Sequence, residues 1–264
     1  MFKLRTMRLV LAITVAVACL VGSTFARAQS DEGPAVVPYR PSVATPADLP
    51  APGWPELEAG ISSVKGGDAA RSFSSPVTFK LAMNECWGIL IGTDIYDWQR
   101  AYDGTTAHSG GDTTLIVKYK LPVDENVAFG AELGVAFPTA RQPIGTGRTG
   151  WGVNTIASLD YPGVHVDINV AGIRPGAVDE RQGSWQGVWA AEASHPLDDR
   201  FGITAEVSGV VQRGRSARTQ GLMALSYNVS RALVLDVAAA AGLSRAATDW
   251  QLMTGMTVRL GHWF

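Results

Sequence analysis

From residue 56 onward the apolar positions alternate along the chain. Leu115, Val117, Tyr119 and Leu121 share one face, and Thr114, Ile116, Lys118 and Lys120 share the other. Val127, Phe129, Ala131, Leu133, Val135 and Phe137 oppose Ala128, Gly130, Glu132, Gly134 and Ala136. Val164, Val166, Ile168 and Val170 oppose His165, Asp167 and Asn169, and Phe201, Ile203, Ala205 and Val207 oppose Thr204, Glu206 and Ser208. A period of two is the period of a β-strand. Twelve runs read this way: 56–64, 76–84, 86–98, 112–121, 126–138, 152–161, 164–173, 185–194, 200–212, 219–228, 232–243 and 250–264. Most exceed the average soluble strand of about 5–6 residues. They match the span of about 9–11 residues that a tilted strand needs to cross a bilayer.

The links between the runs alternate too. Short ones follow the even-numbered runs, at residue 85 and at 122–125, 162–163, 195–199 and 229–231. Longer ones follow the odd-numbered runs, at 65–75, 99–111, 139–151, 174–184, 213–218 and 244–249. Bacterial outer-membrane barrels have short turns on the periplasmic side and long loops outside. The pattern therefore predicts an all-β fold, a transmembrane antiparallel up-and-down β-barrel of about 12 strands over residues 56–264, with both termini periplasmic.

A charge on the lipid face costs about 2–4 kcal/mol for Lys or Arg near the bilayer midplane, so the charges should point inward. The candidate pore-lining residues are Lys80, Lys118, Lys120, Glu132, His165, Asp167, Glu192, Glu206, Asp236 and Arg259. The last run ends in Phe264, with Leu260, Val258, Met256, Leu252 and Trp250 on the same face. A terminal aromatic of this kind resembles the assembly signal of outer-membrane barrels, which assigns that role to Phe264. Aromatics such as Trp87, Tyr119, Trp151, Trp185 and Tyr227 lie toward strand ends, where interfacial girdles belong.

The first residues carry a different signal. Lys3, Arg5 and Arg8 precede an apolar run from Leu9 to Val21, and Ala26-Arg27-Ala28 is a small-x-small cleavage site. This predicts a secretory signal peptide over residues 1–28. Residues 29–55 then hold Pro34, Pro38, Pro41, Pro46, Pro50, Pro52 and Pro55, half of the 14 prolines. Proline favours extended backbone, so a periplasmic spacer arm is expected there. No later stretch is long and apolar enough for a transmembrane helix.

Composition removes several function classes. One cysteine, Cys86, remains after cleavage, which leaves no internal disulfide and no zinc cluster. Four of the 22 basic residues fall in the leader, so the mature chain carries 18 against 24 acidic ones. That balance argues against nucleic acid as a partner. Gly145-Thr146-Gly147-Arg148-Thr149-Gly150 lacks the Gly-Lys-Ser/Thr ending of a phosphate cradle and reads as a loop. No metal, cofactor or catalytic set is expected. Of the four histidines only His165 is mid-sheet, alternating with Asp167 and Asn169, and it reads as a polar wall residue.

The segment Gly110-Gly111-Asp112-Thr113-Thr114-Leu115-Ile116-Val117-Lys118-Tyr119-Lys120 is followed by Phe129-Gly130-Ala131-Glu132-Leu133-Gly134-Val135-Ala136-Phe137-Pro138-Thr139 and Gly145-Thr146-Gly147. Over residues 110–154 the chain resembles the outer-membrane barrel family of the MetA pathway of phenol degradation. Ala140 stands where that family has Gly after Pro-Thr. The resemblance implies a transporter-like barrel for small organic, including aromatic, compounds, and it transfers no functional residue. The reading is a narrow channel for passive uptake of small organic solutes. A closed structural or anchoring barrel is the alternative, and an outer-membrane lipid hydrolase a third. Expected partners are outer-membrane lipid, the barrel-assembly machinery and a small organic solute.

Overall fold

The computed structural model describes residues 33–177 and 182–264. The expected signal peptide lies outside them. The elements are β1 Glu56–Gly66, β2 Arg71–Ala82, β3 Trp87–Arg100, β4 Thr106–Ser109, β5 Thr113–Pro122, β6 Val127–Phe137, β7 Gly150–Tyr161, β8 Val164–Arg174, β9 Gln186–Pro196, β10 Phe201–Gln212, β11 Arg218–Ser230, β12 Leu233–Gly242 and β13 Thr248–Arg259. Neighbours pair antiparallel around the whole ring, and β1 closes it against β13. Closure removes the unpaired edges of the wall strands, the condition for spanning hydrocarbon. Among the described residues twelve strands form the wall. The short β4 pairs only with Asp97–Arg100 of β3 and extends a hairpin beyond it.

Several expectations change. The link expected over residues 65–75 shrinks to 67–70, because β2 begins at Arg71. The strand does not start at Pro76 but runs through it, since a register shift between Ser75 and Pro76 places the missing N–H at a bulge. The last strand ends at Arg259 and not at Phe264. There the amide of Leu260 donates to the carbonyl of Pro55 (2.9 Å), and that of Trp263 to Gly53 (2.8 Å). Gly261 turns the tail with φ +110°, a region that favours glycine. The tail therefore leaves the strand period. Trp263 packs on Phe79 (ring centroids 5.6 Å) and His262 on Trp54 (4.7 Å).

The molecule is apolar outside and polar inside. Leu133, Val170, Met223 and Leu252 are all more than half exposed on the outer wall, whereas Lys80 and Lys118 are fully buried. A continuous apolar band of this size has no place in water and matches a hydrocarbon surroundings. Aromatic pairs mark both rims. Trp87 meets Tyr119 (4.7 Å) and Phe201 meets Tyr227 (4.9 Å) at the short-turn end; Trp151 meets Trp185 (4.9 Å) at the long-loop end.

The proline-rich segment is not a free spacer. Residues 33–55 run inside the barrel. Val36 donates to the carbonyl of Arg231 in a short turn (2.9 Å), and Arg259 donates to Pro34. The chain rises to mid-lumen at Val43 and Ala44, descends past β7 and β5, and leaves where the Gly53 amide meets Ala82 (3.1 Å). Burial demands a partner for each backbone donor. Proline has no donor, so a proline-rich segment needs few partners. The wall supplies several of them: Glu56 for Val37 (3.0 Å), Glu58 for Tyr39 (2.7 Å), Glu206 for Val43 and Ala44 (2.7 and 2.8 Å) and Ser158 for Ala47 (2.7 Å).

Candidate lumenal site

The ten candidate wall residues all lie on the inner face, and most of them engage the arm. Strand alternation brings Glu56 and Glu58 of β1 to the same face as Lys80 of β2, with Glu56 directly opposite Lys80. The Lys80 ammonium lies 2.9 Å from Glu56 and 2.7 Å from Glu58, and it also donates to the Val37 carbonyl. Lys118 of β5 faces Glu132 of β6, with their charged groups 3.0 Å apart, and donates to the Pro46 carbonyl (2.6 Å). Tyr39 of the arm sits between the two. Its ring centroid is 4.0 Å from the Lys80 ammonium and 4.1 Å from that of Lys118. Each ammonium gains from the ring quadrupole, and two fixed cations clamp one arm side chain. Lys120 pairs with the partly exposed Asp48.

A second group occupies the opposite wall. Asp167 stands opposite Glu192, and Glu192 opposite Glu206, so three carboxylates cross β8, β9 and β10 in one row. Glu206 is spent on the arm amides. Asp167 accepts from the Ser158 hydroxyl and meets His165 Nε2 at 3.0 Å; the other ring nitrogen of His165 meets Asp160 at 2.7 Å. Both histidine nitrogens are thus held by carboxylates, and the Ser158 oxygen accepts the Ala47 amide. A hydrolase would need a base on its nucleophile, and here His165 and Ser158 meet only through Asp167.

Asp236 pairs with Arg40 (3.4 Å), and the Arg259 guanidinium lies over the Trp54 ring (4.7 Å). Sequence reasoning missed Glu56, Glu58, Tyr39, Arg40 and Asp48. The two glutamates carry the same period-two spacing as the residues it found. The arm residues carry no period at all.

The arm's crest divides the lumen. On the long-loop side is a cavity of about 440 Å³, floored by Val43 and Thr45 and walled by Ile116, Ala136, Ile173 and Val188. On the short-turn side is one of about 800 Å³, lined by His165, Asp167, Glu192, Arg200 and Arg231 among others.

No protein-family model matches this chain, and no curated protein does. Solved structures do. The chain is similar to an outer membrane channel from Pseudomonas putida F1 at 11% identity and a TM-score of 0.64, over 81% of this chain and 98% of that one. It is similar to the KdgM porin, solved in complex with disordered oligogalacturonate, at 10% identity and a TM-score of 0.57, over 78% and 99%. Identities this low establish a shared fold, that of outer-membrane barrels.

Proposed function

We propose that this protein is an outer-membrane channel for passive uptake of small organic solutes, aromatic ones included, with its lumen narrowed by its own N-terminal arm. The observation that carries the reading is the cavity of about 440 Å³ at the long-loop end. Its size falls within the range of small-molecule sites, about 300–1,000 Å³. Its walls are largely apolar, with Glu132, Asn154 and Asn169 at polar points near the arm and Thr114, Thr146 and Arg174 toward the loops. An apolar pocket above a polar mid-lumen suits a compact organic molecule better than a free ion. Two further points support the reading: the fold shared with an outer membrane channel, and the resemblance over residues 110–154 to the MetA-pathway family. In this reading the long loops face outward, and the termini and short turns face the periplasm.

One observation favours the second reading, a closed structural barrel: the crest at Val43 and Ala44 is tied to Glu206 across mid-lumen. Planar-bilayer recordings and uptake of a monocyclic aromatic into liposomes decide between them. The channel reading expects small conductance and measurable uptake for the full-length mature barrel. It expects larger values when residues 34–52 are deleted. Absence of both signals in the intact protein ends the channel reading.

A further inference from the structure

We infer that the outer wall at the long-loop end carries a binding site for a phosphate-bearing lipid headgroup, built from Lys65, Arg71 and Arg100. The inference rests on the membrane reading of the barrel and not on conduction through its lumen.

The three cations come from three adjacent strands in direct register. Lys65 of β1 stands opposite Arg71 of β2, and Arg71 opposite Arg100 of β3. Adjacent strands lie about 4.7–4.9 Å apart, so the row is compact. The cations face outward, because the same alternation puts Phe73 and Trp98 one step below them, opposite each other, and Trp250 directly beside Lys65. Like charges directly opposite across strands are destabilising. An isolated barrel gives this row little relief. Asp249 takes Lys65 at 3.4 Å. Asp68, the nearby loop carboxylate, is held by Arg215 and Arg218 at 3.1 and 2.6 Å, and Asp103 is turned onto Thr105 (2.9 and 2.7 Å). No ion pair engages Arg71 or Arg100 among the described residues.

Depth identifies the missing anion. The row stands at the strand ends, where a girdle of Trp and Tyr meets the lipid headgroups. Below it the wall is apolar, with Phe73, Trp98, Ile61 and Leu252 presented to acyl chains. A group that is anionic at the cation row and hydrocarbon below it is a lipid, and the planar guanidinium fork matches a phosphate through two parallel hydrogen bonds. The charge of the two barrel ends differs in the same sense. The short turns hold Glu85, Asp124, Glu125, Asp198 and Asp199 against Arg200 and Arg231. With long loops outward, the ligand is a phosphorylated glycolipid of the outer leaflet.

The test is native mass spectrometry and lipid titration of the full-length mature barrel in detergent, with bisphosphorylated lipid A as probe. Lipid A should bind, and its dephosphorylated form should bind about tenfold or more weakly. Arg71→Gln with Arg100→Gln should lose the same preference, while Arg200→Gln with Arg231→Gln should keep it. Equal binding of the two lipid forms overturns the site even if the double variant fails to fold. Displacement of lipid A by millimolar inorganic phosphate overturns the lipid assignment.

Discussion

Gly60 and Gly255 stand opposite each other across the seam where β1 closes on β13, and together they form the slot that takes Arg40. A Cβ on Gly60 would lie 2.3 Å from the Arg40 guanidinium, and one on Gly255 2.5 Å from it. Two small wall residues thus seat one arm cation beside Asp236. Wall and arm fit as parts of one packed object, which a spacer hanging outside the barrel would not require.

The burial of the lysines decides how each responds to substitution. Lys118 is fully buried and paired with Glu132, whose side chain is 10% exposed. Removing one partner of such a pair leaves a buried charge and costs about 3–5 kcal/mol. Lys118→Met should therefore lower the urea midpoint strongly, and Lys118→Met with Glu132→Gln should recover most of the loss. Lys120 pairs with Asp48 at 42% side-chain exposure. An exposed pair contributes about 0–1 kcal/mol, so Lys120→Met should barely move the midpoint. Equal losses in the two single variants would contradict this ranking.

Glu206 holds the arm's crest through two backbone amides. Its carboxylate accepts the amides of Val43 and Ala44. Glu206→Gln keeps an acceptor oxygen and should leave the arm seated. Glu206→Leu takes the acceptor from the buried Ala44 amide, at about 1–3 kcal/mol, and from the more exposed Val43 amide at a smaller cost. Hydrogen exchange at Val43 and Ala44 should accelerate in the leucine variant only. In the channel reading its conductance should rise as well.

The barrel was legible because its physics is periodic. Alternation at Leu115–Leu121 or Val164–Val170 states both that a strand forms and which face meets lipid. The same alternation turned Lys118, Glu132, Asp167 and Glu206 inward. The arm was not legible, because proline richness describes extended backbone equally well in solvent and in a lumen. Its location is written in the wall instead: in glycines opposite each other at Gly60 and Gly255, and in inward carboxylates whose partners are backbone amides. The end of β13 was misjudged for a local reason. The alternation continues on paper to Phe264, but Pro55 offers no amide to extend the ladder and Gly261 turns the chain away.

Asp112 sets an acid limit on the long-loop end. Partial burial pushes its carboxyl up, but hydrogen bonds from the Thr146 amide and hydroxyl and the Ala140 amide outweigh that and hold it below the usual aspartate range. A depressed native value means the stabilisation is present above the unfolded value, about 3.9, and lost as pH falls through the native one. Protection of the Ala140 and Thr146 amides from exchange should persist at neutral pH and fade below the ordinary aspartate value. Asp112→Asn should remove that acid step. An unchanged acid step in the variant would assign it to another group.

Phe264 and Trp263 should fail in different ways. Trp263 is part of the folded structure: it packs on Phe79 and its amide bonds Gly53. An aromatic pair contributes about 0.5–1.5 kcal/mol beyond its area, so Trp263→Ala should lower the urea midpoint of the assembled barrel. Phe264 is about as exposed as Trp263 but makes no ring contact among the described residues. If its role is to be read during assembly, deleting it should reduce the heat-modifiable fraction formed in cells. The midpoint of the molecules that do assemble should stay the same. A normal assembled fraction without Phe264 would remove the signal role. A lowered midpoint would make Phe264 a packing residue like its neighbour.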